Sequence, residues 1–128
     1  MIRVLMVEDD ALYRRVILIL LGREPDIEVV GEAGSLSEAL TMLEGVDVAI
    51  IDRVLPDGTG LNLIKGLREA SPGVKVLMIS VLEELANAQE ALEAGADQVL
   101  GKITSTDQLF ATIRSLKGAQ STASHSTS

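Results

Sequence analysis

The chain has 128 residues, enough for one domain with a sizeable core. Hydrophobic residues make up 47% of it and aromatic residues only 2%, which predicts a folded chain with an aliphatic core. Because there is no cysteine, disulfides, thiol catalysis and cysteine-zinc sites are excluded, and a cytoplasmic setting fits. The formal net charge of -8 disfavours direct binding to nucleic acid or anionic lipid, and no apolar run is long enough to span a membrane.

Short apolar runs alternate with helical patterns along the chain. The runs are rich in valine and isoleucine and mostly apolar throughout, as is typical of parallel strands that are covered on both faces. In chain order, the predicted strands span 2–7, 27–32, 46–51, 75–80 and 98–100. The second run is more polar than the others, which suits an edge strand.

The segments between the strands carry apolar residues at helical spacing and are bounded by helix-end signals. Ser35 and Glu38, for example, have capping-box spacing, and Pro25 and Gly45 follow two predicted helix ends. In chain order, the predicted helices span 11–23, 35–43, 61–69, 83–94 and 104–117.

Five strand–helix units in succession predict an α/β fold, in which a parallel sheet has helices on both faces and right-handed crossovers. Ligands bind such sheets beyond the carboxyl ends of the strands. We expect one domain over residues 1–117. From Gly118 the composition turns to serine, threonine and alanine, so residues 118–128, with His125, are predicted to be a disordered tail or linker.

Charged and hydroxyl side chains stand at the carboxyl ends of these runs. Glu8 and Asp9 follow the first strand, Asp52 the third and Lys102 the fifth, and Ser80 ends the fourth. Carboxylates gathered in one place repel each other, and a divalent cation such as Mg²⁺ or Mn²⁺, which prefers oxygen ligands, relieves that repulsion. The pattern therefore predicts a single site that holds a divalent cation and handles phosphate.

Two further acidic residues have plainer interpretations. Asp10 directly precedes the first predicted helix and is interpreted as its N-terminal cap. Asp57 lies in a Pro-Asp-Gly sequence and is interpreted as an ordinary turn residue.

Taken in order, these motifs resemble the receiver domain of bacterial two-component response regulators over residues 2–117. The matching residues are Val-Glu-Asp-Asp at 7–10, Ile-Ile-Asp at 50–52, Leu-Pro-Asp-Gly-Thr-Gly at 55–60, Ser80, Gly-Ala-Asp at 95–97 and Lys102. The stretch 23–33 resembles receivers that are joined to helix-turn-helix outputs. The resemblance implies a flavodoxin-like, doubly wound (βα)5 sandwich with a five-stranded parallel sheet in the order 2-1-3-4-5.

The resemblance also implies a role for each site residue. Asp52 would accept a phosphoryl group from a sensor histidine kinase or a phosphotransfer protein, and Ser80 and Lys102 would engage the phosphoryl oxygens. The protein ligands of Mg²⁺, or Mn²⁺, would be Glu8, Asp9, Asp52 and the carbonyl of Val54.

In such a protein, movement of Ser80 and of the helix after it would convert phosphorylation into a change of shape. The chain would be a signalling switch and not a turnover enzyme, although it would assist its own phosphorylation and dephosphorylation. Receivers often pair through the face of the fourth helix, fifth strand and fifth helix, so a homodimer through that face is an expectation.

Three positions depart from the family pattern, and two other functions stay open. Val99 stands where receivers often carry a switching aromatic residue, Ile103 where many have proline, and Val81 where a small residue is common. These departures allow a degenerate receiver that serves only as a protein-docking module. A Mg²⁺-dependent phosphohydrolase with Asp52 as nucleophile is the other alternative, but Val54 stands where such enzymes have their general acid.

Overall fold

Seven strands are present in the structure, a computed structural model that describes residues 1–81 and 87–126, with side chains up to residue 119. In chain order they are β1 (Ile2–Val7), β2 (Ile27–Ala33), β3 (Val48–Asp52), β4 (Val54–Leu55), β5 (Gly58–Thr59), β6 (Lys75–Ser80) and β7 (Gln98–Gly101). Strands β4 and β5 form a short antiparallel hairpin. The other five form one parallel sheet in the order β2-β1-β3-β6-β7. With the hairpin set aside, the predicted order 2-1-3-4-5 is confirmed.

Helices cover both faces of this sheet. In chain order they are α1 (Ala11–Leu21), α2 (Leu36–Ala39), a 3₁₀ helix (Gly60–Leu63), α3 (Ile64–Ala70), α4 (Ala88–Glu93) and α5 (Thr106–Ser126). Within the described part of the chain, no helix is both long enough and apolar enough to cross a membrane.

The strands are mostly apolar because their alternating side chains pack into two separate cores. On β1, Val4 and Met6 belong to a core shared with α1 and α5, whereas Leu5 and Val7 belong to a core shared with α2, α3 and α4. All four of these side chains are fully buried. We call the two sets of helices the α1–α5 layer and the α2–α4 layer.

The last helix is also tied to the body of the domain by ion pairs. The guanidinium of Arg114 contacts Glu24 at 2.6 Å and Asp26 at 2.8 Å, in the connection between α1 and β2. One turn further along α5, the ammonium of Lys117 lies 3.1 Å from Asp47, just before β3.

The second helix is much shorter than the predicted 35–43, because it ends at Ala39. The chain continues beyond Ala39 in tighter turns, in which the N–H of Met42 donates to the carbonyl of Ala39 at 2.9 Å. A buried serine from elsewhere in the chain binds the connection that follows. The hydroxyl of Ser71 donates to the carbonyl of Leu43 at 2.6 Å and accepts from the N–H of Val46 at 3.0 Å. These bonds attach the connection between α2 and β3 to the residue that follows α3.

Other boundaries differ by smaller amounts. Strand β3 begins at Val48 and includes Asp52, so the carboxylate belongs to the last residue of the strand. Helix α1 ends at Leu21, and the predicted helix 61–69 is divided into the 3₁₀ helix and α3. Within the predicted helix 83–94, α4 covers Ala88–Glu93, and residues 83–86 lie outside the described part.

Helix α5 continues to Ser126, although the apolar pattern predicts its end at residue 117. No proline follows Pro72, so nothing in the tail composition interrupts helical hydrogen bonding. The division into a domain of residues 1–117 and a tail of residues 118–128 stays a prediction.

Candidate functional site

The carboxyl ends of β1, β3 and β7 meet at one edge of the sheet. Glu8 directly follows β1, Asp52 is the last residue of β3, and Lys102 directly follows β7. Strand β6 lies between β3 and β7, so the lysine must reach across the end of β6. Its backbone is anchored there, because the N–H of Lys102 donates to the carbonyl of Ser80 at 2.9 Å.

The ammonium of Lys102 joins the two buried carboxylates. It donates a hydrogen bond to Asp52 Oδ2 at 3.0 Å, and it lies 2.6 Å from Glu8 Oε1. The lysine side chain is itself only 17% exposed, so water screens these contacts weakly. The structure therefore brings Glu8, Asp52 and Lys102 into one pocket.

Glu8 is completely buried, and its environment opposes its charge. Burial and, after it, the nearby Asp52 side chain raise the pKa of Glu8 to about 7, although Lys102 and the N–H of Asp10 act in the opposite direction. The Asp10 N–H donates to Glu8 Oε2 at 3.0 Å. One lysine does not fully compensate two carboxylates at this depth.

A third carboxylate lies beside this pair. One oxygen from each of Glu8, Asp9 and Asp52 lies within 4.8 Å of the others, and Asp9 is exposed at the mouth of the pocket. We call these three residues the acid cluster. Its donors are all oxygens, as Mg²⁺ requires, and its negative charge exceeds that of the single ammonium. The residues present therefore fit a divalent cation.

Asp10 lies outside the acid cluster and caps the first helix instead. Its Oδ1 accepts hydrogen bonds from the N–H groups of Leu12 and Tyr13, each at 3.1 Å, as an N-terminal cap does. The interpretation of Asp10 as the cap of the first helix is confirmed.

Two other residues of the predicted site lie next to Asp52. The N–H of Val54 donates to Asp52 Oδ1 at 3.2 Å, and the Val54 side chain is 56% exposed. Ser80 is buried and follows Ile79, which pairs with Asp52 in the register of β3 and β6. Val54 therefore contacts the carboxylate, Ser80 ends the neighbouring strand, and the roles of both stay predictions.

Two contacts near the site were not predicted from the sequence. The buried Arg53 donates to the carbonyl of Asn87 at 3.2 Å and pairs with Glu90 on α4 at 3.1 Å. The ring of Tyr13 on α1 has its centre 5.3 Å from the ammonium of Lys102. An arginine directly after an apolar strand is a candidate for a buried contact, but nothing in the sequence identifies Glu90 as its partner.

Asp57 is more than a turn residue. It lies between β4 and β5, and its carboxylate accepts hydrogen bonds from the N–H groups of Leu36 and Ser37, at 2.8 Å and 3.1 Å. These bonds, first of all the one from Leu36, lower the pKa of Asp57. The turn after Asp52 is thereby attached to the first turn of α2.

The three positions that depart from the family pattern lie in different surroundings. Val99 is half-buried against the core of the α2–α4 layer. Val81 is 44% exposed and Ile103 is 82% exposed. In the described residues, no aromatic side chain lies on β7.

A family model described as response regulator receiver domain matches residues 4–114 of the chain. The chain belongs to this family. As a receiver domain it is part of two-component signal transduction, and the resemblance identified from its motifs is confirmed.

Curated relatives are longer than this receiver domain. It is 40% identical over 118 residues to the transcriptional regulatory protein UhpA of Escherichia coli, a match that covers 91% of this chain and 59% of UhpA. It is 37% identical over 98 residues to the DNA-binding transcriptional activator DevR/DosR of Mycobacterium tuberculosis, with coverage of 75% and 45%. The receiver domain thus spans about half the length of these two relatives.

Solved structures share its fold. A CheY-like response regulator receiver domain protein from Methanospirillum hungatei superposes with a TM-score of 0.82 at 27% identity, with coverage of 94% of this chain and 97% of that one. The receiver domain of AraT, a response regulator from Geobacillus stearothermophilus, superposes with a TM-score of 0.79 at 30% identity, with coverage of 97% and 99%.

Proposed function

We propose that this receiver domain is a phosphoacceptor switch, which takes a phosphoryl group on Asp52 from a sensor histidine kinase or a phosphotransfer protein. The observation that carries the proposal is the position of Lys102, whose ammonium contacts both Asp52 and Glu8 at the carboxyl edge of the sheet. A buried acid, a paired acid and a cation at hydrogen-bond distance are what phosphoryl transfer to a carboxylate needs.

The proposed step exchanges one bond for another. An oxygen of Asp52 attacks the phosphorus of a phosphohistidine, an O–P bond forms, and the P–N bond breaks with its electron pair left on the imidazole nitrogen. The product on the receiver is an acyl phosphate. Lys102 and the hydroxyl of Ser80 stabilise the charge on the phosphoryl oxygens, and Ser80 moves inward as it does so.

The acid cluster supplies the ligands for Mg²⁺, or Mn²⁺, in this proposal, together with the carbonyl of Val54. A bound cation would neutralise charge on the phosphoryl group during the transfer. Asp9 would hold the cation directly and Glu8 would help through water, and the burial of Glu8 limits screening of the site by solvent.

Phosphorylation of the isolated domain tests the proposal. The protein is incubated with Mg²⁺ and acetyl phosphate or phosphoramidate, and its intact mass is followed over time. We expect the natural protein to gain one phosphoryl group, and we expect Asp52→Asn to gain none. The matched control is Asp107→Asn, an exposed acid on α5, which should gain one group as the natural protein does.

Addition of EDTA tests the cation in the same assay and should suppress the gain. If the natural protein gains no phosphoryl group from any donor, the proposal is wrong and the docking-module alternative takes its place. Steady release of inorganic phosphate from many small phosphate esters would instead favour the phosphohydrolase alternative. That alternative has no acid two residues after Asp52, where Val54 stands.

Signalling would pass from the site to a partner or an output segment. The relatives named as transcriptional regulators extend well beyond the part matched here, and we propose that a similar output belongs to this receiver. A homodimer through α4, β7 and α5 belongs to the same proposal. Size measurement before and after phosphorylation tests that part.

A further inference from the structure

The chain contains only two aromatic residues, Tyr13 and Phe110, and each lies beside a cation. Tyr13 lies 5.3 Å from the ammonium of Lys102, and Phe110 lies 6.0 Å from the guanidinium of Arg114. Both rings are half-buried against the core of the α1–α5 layer. Only Tyr13 is at the functional site, so its contact with Lys102 has a consequence for that site.

We infer that Tyr13 is a positioning residue, whose ring holds the Lys102 ammonium against Asp52 and Glu8. The inference rests on the proposed function for its effect on phosphorylation, but its geometric part stands without that function. A cation close to an aromatic face is attracted by the negative charge density of that face, and the attraction grows when water is excluded.

The position of Tyr13 is set by the site itself. Its N–H donates to Asp10 Oδ1, and the N–H of Asp10 donates to the Glu8 carboxylate. The side chain of the residue after Tyr13, Arg14, donates to the backbone carbonyl of Glu8 at 2.5 Å. These bonds fix the first turn of α1 to Glu8, which also pairs with Lys102. They thereby place the Tyr13 ring beside the lysine.

The contact with the Tyr13 ring matters because there is open space beside Lys102. A cavity of about 160 Å³ lies between α1 and the start of α5, lined among others by Tyr13, Ile17, Thr106, Leu109 and Lys102. A lysine side chain has many rotamers and loses considerable entropy when one is selected. Without the ring, Lys102 would have room to leave Asp52, so the time it spends in the productive position would fall.

Two variants separate the ring from the rest of Tyr13. Tyr13→Leu keeps an apolar side chain of similar reach but removes the aromatic face, whereas Tyr13→Phe keeps the face and removes only the hydroxyl. We expect Tyr13→Leu to gain its phosphoryl group about fivefold more slowly, and Tyr13→Phe to stay within about twofold of the natural protein. Phe110→Leu removes the aromatic face that lies beside Arg114 instead of Lys102, and it should leave the rate unchanged.

A second readout does not depend on phosphorylation. An aromatic ring shifts the NMR signals of nearby groups, so the ε-methylene protons of Lys102, assigned by their loss in Lys102→Arg, should appear upfield. They should move towards ordinary lysine values in Tyr13→Leu and stay in place in Tyr13→Phe and Phe110→Leu.

The two readouts distinguish the possible failures. If Tyr13→Leu leaves the ε-methylene signals unchanged, the contact is absent in solution and the inference is wrong, whatever happens to phosphorylation. If the signals move but the rate does not, or if Phe110→Leu slows the reaction equally, Tyr13 does not position Lys102 for the reaction. If the natural protein takes no phosphoryl group while the signals behave as expected, the proposed function fails and the contact stands.

Discussion

The two helical layers cover the same sheet but are held on it in different ways. The α1–α5 layer consists of two helices of 11 and 21 residues, which bury large aliphatic side chains such as Leu21 and Ile113. The α2–α4 layer consists of three helices of only 4, 7 and 6 residues. Helices that short are not stable by themselves in water, so the α2–α4 layer, like the 11-residue α1, depends on contacts from outside its helices.

Many of those contacts are polar and come from strand ends and loops. Asp57 binds the first turn of α2, Ser71 binds the connection after α2, and Arg53 reaches α4. Arg68 on α3 donates to the carbonyls of Val74 and Gly95 and also pairs with Asp97 at 3.0 Å.

The chain just after Asp52 is attached to the α2–α4 layer at two points. Arg53 and Asp57 belong to the turn that directly follows Asp52, and they hold α4 and α2 respectively. A hydrogen bond and an ion pair therefore connect this turn directly to the α2–α4 layer. At the site, the α1–α5 layer is attached to Glu8 through Asp10 and Arg14, at the start of α1.

The largest effect on this comparison should come from Gly60→Ala. A Cβ at this position would lie 2.2 Å from the carbonyl oxygen of Asp52 and 2.6 Å from Cγ2 of Ile51, so the 3₁₀ helix and β3 would have to separate. We expect a loss of about 3 kcal/mol in the free energy of unfolding, measured with urea.

Gly66→Ala is the matched control within the same layer. Its Cβ would meet only the end of the Leu43 side chain, at 3.0 Å, and that side chain can move. A loss as large as that of Gly60→Ala would show that the close approach of backbone to backbone at Asp52 is not what matters.

The next largest effect should come from Ser71→Ala. This change leaves the Leu43 carbonyl and the Val46 N–H without their buried partner, which should cost about 2 kcal/mol in the free energy of unfolding. Urea titration measures it, with Ser115→Ala on the exposed face of α5 as a control that should stay within about 0.5 kcal/mol. Equal values for the two variants would contradict the importance of polar attachment in the α2–α4 layer.

Asp57→Asn should have a smaller effect that depends on pH. Since the pKa of Asp57 is lowered in the folded protein, its charged form contributes stability above the unfolded value of about 3.9, and this contribution is lost as pH falls through the folded value. The urea midpoint of Asp57→Asn should therefore be below that of the natural protein at pH 6. The gap should close as the pH is lowered below about 3.9, and a gap independent of pH would contradict the role of the charge.

The smallest effect, and one in the opposite direction, should come from Gly118→Ala. A Cβ there meets nothing within 4 Å, and in a helix alanine is preferred over glycine by about 0.5 kcal/mol or slightly more. If α5 continues beyond Lys117 in solution, the variant should be more stable by about that amount. An unchanged free energy of unfolding would favour the tail that composition predicts from residue 118.

The sheet was predictable because each of its strands obeys a local rule. The bounds of β1 and β6 agree with the predicted 2–7 and 75–80, since strands buried on both faces are apolar at nearly every position. The placement of Glu8, Asp52 and Lys102 in one pocket also followed from local sequence, because parallel strands bring their carboxyl ends to the same edge.

Contacts between distant parts of the chain could not be predicted in this way. The attachment of the connection after α2 depends on Ser71, which lies 28 positions after Leu43. The contacts of Arg53 with Glu90 and of Tyr13 with Lys102 likewise join different elements, and neither has a periodicity or a spacing that would reveal it. Side chains that act across the fold need the fold before they can be recognised.

The ion pairs of Arg114 and Lys117 fix α5 to the domain at one place, and the helix continues beyond them. They hold the helix beside the α1–β2 connection and the start of β3. Residues 118–126 add about 13 Å of helix beyond these contacts. A small tilt of α5 about these ion pairs would displace the end of the helix more than the part beside them. Because these ion pairs are partly exposed, raising the ionic strength should weaken them before it disturbs the core.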